Sequence, residues 1–152
     1  MSGTHRTVPP DVIRKGDPLH ASCVAVGGRA VILHGPSGSG KSSIAIQMMA
    51  LGADLVADDR TIVEARKGSL FARCPNEIKG MIEARNVGLM KVPFASEVQI
   101  ALLVDLGQEE QLRLPNVRTT SILGVEIPVI RKVSADHFPA SLLIYLKHGR
   151  FE

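Results

Sequence analysis

Residues 35–42 read Gly35-Pro36-Ser37-Gly38-Ser39-Gly40-Lys41-Ser42, a complete G-x4-G-K-S pattern. No other stretch of the chain limits its fold as strongly. The glycines let the backbone curl until several N–H groups point at one anion, and the helix that must follow adds its positive end at the same place. At ordinary residue frequencies the pattern arises by accident in roughly one chain in two hundred of this length. Here the flanks are also the ones the chemistry needs. Arg29 to His34 precedes the loop as an apolar strand, and Ser43 to Leu51 follows as a helix with Gly52 as its stop. Lys41 supplies a mobile charge for β- and γ-phosphates, and Ser42 offers a hydroxyl to Mg²⁺.

Strand, anion loop and helix in that order predict an α/β domain, and the rest of the chain extends it. Ser22 to Val26 reads as a strand. Gly27-Gly28 is a two-residue hairpin signal that pairs it antiparallel with Arg29–His34. Leu55-Val56-Ala57 is a short buried strand ending in Asp58-Asp59. Thr61–Ala65 and Leu70–Arg73 form a second hairpin around Lys67-Gly68. Cys74 to Pro93 is less regular. Val98–Leu106 is strongly apolar and reads as a central strand, Val125–Val133 as a last strand. Phe138–Lys147 reads as a C-terminal helix, with Pro139 in its first turn and Gly149 after its end. Met1 to Leu19 is rich in Pro and charge and reads as an extended entry, so the expected organisation is an extension over 1–19 and one catalytic domain over 20–152.

Composition narrows the function. The chain has 152 residues, enough for one core, and 45% of them are apolar. One Tyr, four Phe and no Trp leave that core to aliphatic side chains. A net charge of +3, with Lys and Arg scattered and no stacking aromatics, argues against nucleic acid as a partner. No signal peptide or membrane span is evident, which makes the cytoplasm the expected location. Cys23 and Cys74 lack metal-ligand spacing and are expected as free thiols.

Asp58 and Asp59 close the strand after the loop helix. If the strands on either side of that helix are parallel, the pair faces the loop's crevice. One carboxylate can then help hold Mg²⁺ and the other accept a proton from an attacking hydroxyl. On the residues alone, His5, His20, His34, His137 and His148 read as surface or structural histidines, and Glu83 and Arg85 as solvated loop charges.

Together, His20, the loop 35–42 and Leu55-Val56-Ala57-Asp58-Asp59-Arg60 resemble the catalytic core of HPr kinase/phosphorylase. Ile78 to Leu89, containing Glu83-Ala84-Arg85 and then Gly88, is similar to that family's second signature, with Lys79 and Asn86 as departures. The resemblance runs from about His20 to Leu146. It implies a P-loop kinase domain of the PEP carboxykinase-like kind, with a mixed central sheet. It also implies a hexamer in which ATP and Mg²⁺ serve to phosphorylate a serine of the protein HPr. Gly35, Pro36, Ser37, Gly38, Ser39, Gly40, Lys41, Ser42 and Ser43 would bind the nucleotide. Ser42, Glu83 and Asp58 would serve the metal. Asp59 would be the base, assisted by His20, and Arg85 would support catalysis. A further arginine is expected before Ile122-Leu123-Gly124-Val125, with Arg113 as the best match and Arg118 second.

Two departures bear on activity. Ser43 stands where the family usually has Glu, and Pro128 to Val133 replaces the usual Pro-Val-Arg-Pro-Gly-Arg-Asn. That late motif is associated with the reverse phosphorolysis, so a competent kinase with weak or absent phosphorylase activity is expected. The chain resembles short, catalytic-domain-only members of proteobacteria. A small-molecule kinase and a non-catalytic nucleotide-binding regulator remain alternatives that share the loop.

Overall fold

The computed structural model describes residues 17–75 and 79–151. Its elements are β1 (Ala21–Val26), β2 (Arg29–His34), α1 (Lys41–Ala50), β3 (Asp54–Ala57), β4 (Ile62–Arg66), β5 (Ser69–Arg73), β6 (Met81–Ala84), β7 (Gly88–Lys91), β8 (Glu97–Glu109), β9 (Arg118–Ile122), β10 (Val125–Lys132) and α2 (Phe138–His148). The expected α/β class is observed. β1 and β2 pair antiparallel from Ala21↔His34 to Val26↔Arg29, and Gly27 and Gly28 turn the hairpin at φ 60 and 76. Both angles are left-handed, as the tight turn that matches strand twist requires.

Eight strands form one mixed sheet in the order β3-β1-β2-β8-β10-β9, and the β4–β5 hairpin joins it through β5 and β8. β8 is the expected central strand. It lies parallel to β2 and to β10, and its residues Leu102, Leu103 and Val104 are fully buried. A near-continuous apolar run is what a strand covered on both faces needs. One face packs on the helices, with Ile44, Ala45 and Met48 of α1 and Leu142, Leu143 and Leu146 of α2. The other face is covered by Val63, Leu70 and Ala72 of the β4–β5 hairpin. Cys23 is buried and Cys74 half-buried, and both are free.

Three features depart from the expected pattern. The less regular stretch Cys74 to Pro93 holds the separate two-stranded sheet β6–β7, paired Met81↔Lys91 to Ala84↔Gly88. Only Ile82 of that hairpin is buried, so its sequence carries almost no alternation. β9 was not expected either. Its inward residues are Arg118, Thr120 and Ile122, which gives the right period with mostly polar side chains. It turns into β10 through Leu123 at φ 49 and Gly124 at φ 81, and a leucine in the left-handed region is not a turn signal. Finally, Leu19 belongs to the fold rather than to the extension. It is 5% exposed and exchanges backbone bonds with Thr61 at 2.7 and 2.9 Å. Residues 1–16 of the extension, His5 among them, and Ile78 of the second signature lie outside the described residues.

The topology brings the candidate residues together. β3 runs antiparallel to β1, and β1 antiparallel to β2. β3 and β2 are therefore parallel, so Asp58 and Asp59 leave the sheet at the same end as the loop.

Candidate active site

The loop carries the chain from the C-terminal end of β2 into α1. Gly40 caps the helix at φ 104, a left-handed conformation that favours glycine. No side chain caps the first turn and no acidic residue lies in it. The N–H groups at the helix's positive end therefore remain available to an anion. Gly35 is required by crowding instead, because a Cβ there would meet Ser39 Oγ at 2.7 Å and Leu106 Cβ at 3.0 Å. Lys41 is 7% exposed, and its Nζ donates to the carbonyls of Gly35 at 2.8 Å and Pro36 at 3.1 Å. The ammonium is thus held inside the curl of its own loop, close to where phosphate oxygens would sit.

The two aspartates point to different partners. Asp58 Oδ1 accepts the Ser42 hydroxyl at 2.8 Å and the Ser22 hydroxyl at 2.9 Å. Asp59 stands at φ 66, a left-handed turn that aspartate tolerates. Its Oδ1 meets Nε2 of His20 at 2.8 Å, and both side chains are more than half exposed. The Asp59 amide donates to Ser22 Oγ at 3.3 Å.

Glu83, Ala84 and Arg85 approach from the β6–β7 hairpin and complete a cleft of ≈ 770 Å³. Its other lining residues are Ser37, Gly38, Gly40, Lys41, Ser42, Ser43, Ile46, Gln47, Asp58 and Asp59. Among the described residues no group of three or more His, Cys, Asp or Glu converges on one point. The Ser42 hydroxyl and the Asp58 carboxylate are nevertheless hard oxygen donors in contact beside the loop. That set fits Mg²⁺, which takes one or two protein oxygens and completes its shell with phosphate and water.

Not every expected residue reaches the cleft. Arg113 is exposed in the connection after β8 and is not among the described lining residues. Arg118, the second choice, is 8% exposed and forms an ion pair with Glu110. Burial raises the Glu110 carboxyl pKa, but the Leu112 amide and Arg118 outweigh it and hold the group below its usual range. Of the departing late segment, Arg131 lies opposite Asp105 in register. Lys132 Nζ donates to the Ser39 carbonyl at 3.3 Å.

Two contributors, Ser22 and His34, carry no site signal in the sequence, and Lys132 reaches a different part of the site than its segment implies. Ser22, 0% exposed, ties both aspartates to β1. A lone hydroxyl inside an apolar strand was its only local signal. His34, read as bland, ends β2 opposite the buried Asp105. Burial lowers its pKa; Asp105 works against this, and Lys41 and His20 reinforce it. Lys132 lies in the late segment that the resemblance ties to phosphorolysis, and nothing in the sequence pointed to its contact with the Ser39 carbonyl 93 positions away.

The chain is similar to proteins of one kinase family. The family model for the HPr Serine kinase C-terminal domain matches residues 13–134. The HPr kinase/phosphorylase of Chlorobium phaeobacteroides (strain DSM 266 / SMG 266 / 2430) is 37% identical over 128 residues, 74% of this chain and 39% of that protein. The HPr kinase/phosphorylase of Aromatoleum aromaticum is 35% identical over 131 residues, 76% of this chain and 41% of that protein. The matched region thus spans about two-fifths of these relatives. The Hpr(Ser) kinase/phosphatase from Coxiella burnetii shares the fold, with a TM-score of 0.69 at 22% identity over 86% of this chain and 93% of that one. The chain belongs to the HPr serine kinase C-terminal domain family.

Proposed function

We propose that this domain transfers the γ-phosphoryl group of Mg-ATP to a serine hydroxyl of the phosphocarrier protein HPr in the cytoplasm. The observation that carries the reading is the convergence, in one cleft, of an uncapped anion loop with Lys41, the Ser42–Asp58 pair and Asp59, whose carboxylate meets His20 just outside the described lining. Phosphoryl transfer needs little covalent help from a protein; it needs positioning and opposite charge. In this reading Lys41 turns from the Gly35 and Pro36 carbonyls to the β- and γ-phosphates. Ser42 and Asp58 would hold Mg²⁺, with Glu83 across the cleft, and the ion would supply positive charge beside the phosphate oxygens.

Asp59 then accepts the serine proton, and His20 holds the carboxylate in place. Side-chain exposures of 61% for Asp59 and 58% for His20 favour a macromolecular acceptor. A base this open is reached easily by a protein loop, and the docked protein supplies the exclusion of water that a small-molecule kinase must build for itself. Arg85 stands on the same rim and would stabilise the migrating charge. The homo-oligomer, a hexamer by resemblance, belongs to the same proposal, and light scattering of the purified chain tests it.

The experiment mixes the pure protein with Mg-ATP and HPr and follows HPr by mass spectrometry. Phosphoserine on HPr is expected. ATP consumption with HPr unmodified would point to a small-molecule acceptor. ATP binding with no consumption would point to a regulator.

A further inference from the structure

A planar trans peptide points its C=O and its N–H in opposite directions. The Ser39–Gly40 peptide lies in the middle of the phosphate loop. Its carbonyl is held at 3.3 Å by the ammonium of Lys132, which arrives from β10 on the far side of β8. Gly40 lines the cleft, whereas neither Ser39 nor Lys132 is among the described lining residues. With the carbonyl held on the Lys132 side, the Gly40 N–H points the opposite way, and Gly40 is the member of this peptide that lines the cleft.

The surroundings fix both ends of this contact. Between Arg131 and Lys132 the pairing of β10 with β8 jumps from Asp105 to Glu109. The shift bulges β8 under the loop, where Leu106 stands against Gly35 and Gly107 against Pro36. The Lys132 backbone is anchored after the bulge, since its carbonyl accepts the Glu110 amide at 2.8 Å. Ser39 Oγ is buried without a hydrogen-bond partner among the described residues. Among the described residues, the Lys132 contact is therefore the polar restraint on Ser39 that comes from outside the strand–loop–helix unit.

We propose that Lys132 is a positioning residue that aims the Gly40 amide into the phosphate cradle, rather than a ligand of the phosphates. The inference rests on reading the loop as a nucleotide site. A floppy Ser39–Gly40 peptide would have to be ordered by each incoming nucleotide, and that cost would appear as weaker binding.

The test uses the full chain, ¹⁵N-labelled, as Lys132→Met and Lys132→Gln, with Lys132→Arg as the variant that keeps a charged donor. Without nucleotide, the Gly40 amide resonance is expected to shift and its hydrogen exchange to quicken in the Met and Gln variants. The Arg variant should stay closer to the parent. ATP affinity measured by calorimetry should fall about tenfold in the Met variant, the worth of one charge-assisted hydrogen bond, with kcat changing less than KM. An unmoved Gly40 resonance overturns the proposal, even if ATP binding weakens, because Lys132 would then be touching phosphate directly. Unchanged ATP affinity with a moved resonance overturns it too. Failure of the unsubstituted chain to bind ATP refutes the proposed kinase function instead, while the nucleotide-free resonance still decides whether Lys132 sets the Gly40 amide.

Discussion

Ser22→Ala removes one oxygen from the site and tests whether β1 helps to build it. The hydroxyl donates to Asp58 Oδ1 at 2.9 Å and accepts the Asp59 amide at 3.3 Å, from a position with no solvent exposure. The second contact is long and contributes little. The first is a hydrogen bond to a charged group, worth about 1.5–3 kcal/mol when both partners are out of water. Asp58 is only half-buried and keeps the Ser42 donor on the same oxygen, so water replaces part of the loss. The expected destabilisation is about 1.5 kcal/mol, which lowers Tm by roughly 3–6 °C for a chain of this size. Phosphotransfer should fall about tenfold, because the Asp58 carboxylate loses one of the two hydroxyls that set its angle. Thermal unfolding and steady-state kinetics measure the two effects. A cycle with Asp58→Ala shows whether they share a cause: if Ser22 acts through Asp58, the double variant is less impaired than the sum of the two singles. Unchanged Tm and unchanged rate for Ser22→Ala, or strict additivity in the cycle, would refute the reasoning.

Lys41→Ala should leave the protein folded and reduce kcat/KM by about 10²–10³-fold, the usual effect of losing one transition-state electrostatic contact; a folded variant with the parent rate would sink the loop assignment. Asp59→Asn should slow turnover by about 10²–10⁴-fold with ATP still bound, while Asp58→Asn chiefly raises the KM for Mg-ATP, and the opposite pattern would exchange the two roles. His34 has a folded pKa below its unfolded one, mainly through burial, so its share of stability is present above the ordinary histidine pKa of about 6.5 and is lost as pH falls through the folded value. Urea unfolding at about pH 7.5 and 5.5 should show a smaller acid loss for His34→Gln than for the parent, and equal losses would contradict that account. Phosphoserine-HPr given inorganic phosphate without nucleotide should release pyrophosphate far more slowly than the forward reaction runs, since the late segment lacks the second arginine of the family's motif; comparable rates would show the altered segment to be no handicap.

The local grammar of the chain was legible wherever one short stretch carried its own physical reason. Gly35 to Ser42 contains in eight consecutive residues the flexible backbone, the cation and the hydroxyl that an anion loop needs. Gly27-Gly28 specified a hairpin because only that turn matches strand twist, and the apolar run 98–106 marked the central strand because both its faces are buried. β6, β7 and β9 were not legible, because their pairing is maintained by partners rather than by an apolar alternation of their own.

Sequence alone thus determined the phosphate loop, its strand and helix, and the presence of two carboxylates after the next strand. Only the tertiary structure decided what those carboxylates meet. Two antiparallel pairings, β3 with β1 and β1 with β2, carry Asp58 to Ser42 and Asp59 to His20. Two parallel pairings on β8 line up His34, Asp105 and Arg131 across three strands and carry Lys132 to Ser39. The physical reason is that strand order and register are set by burial of the whole sheet. A residue that reaches a site across neighbouring strands leaves no mark at any fixed spacing along the chain.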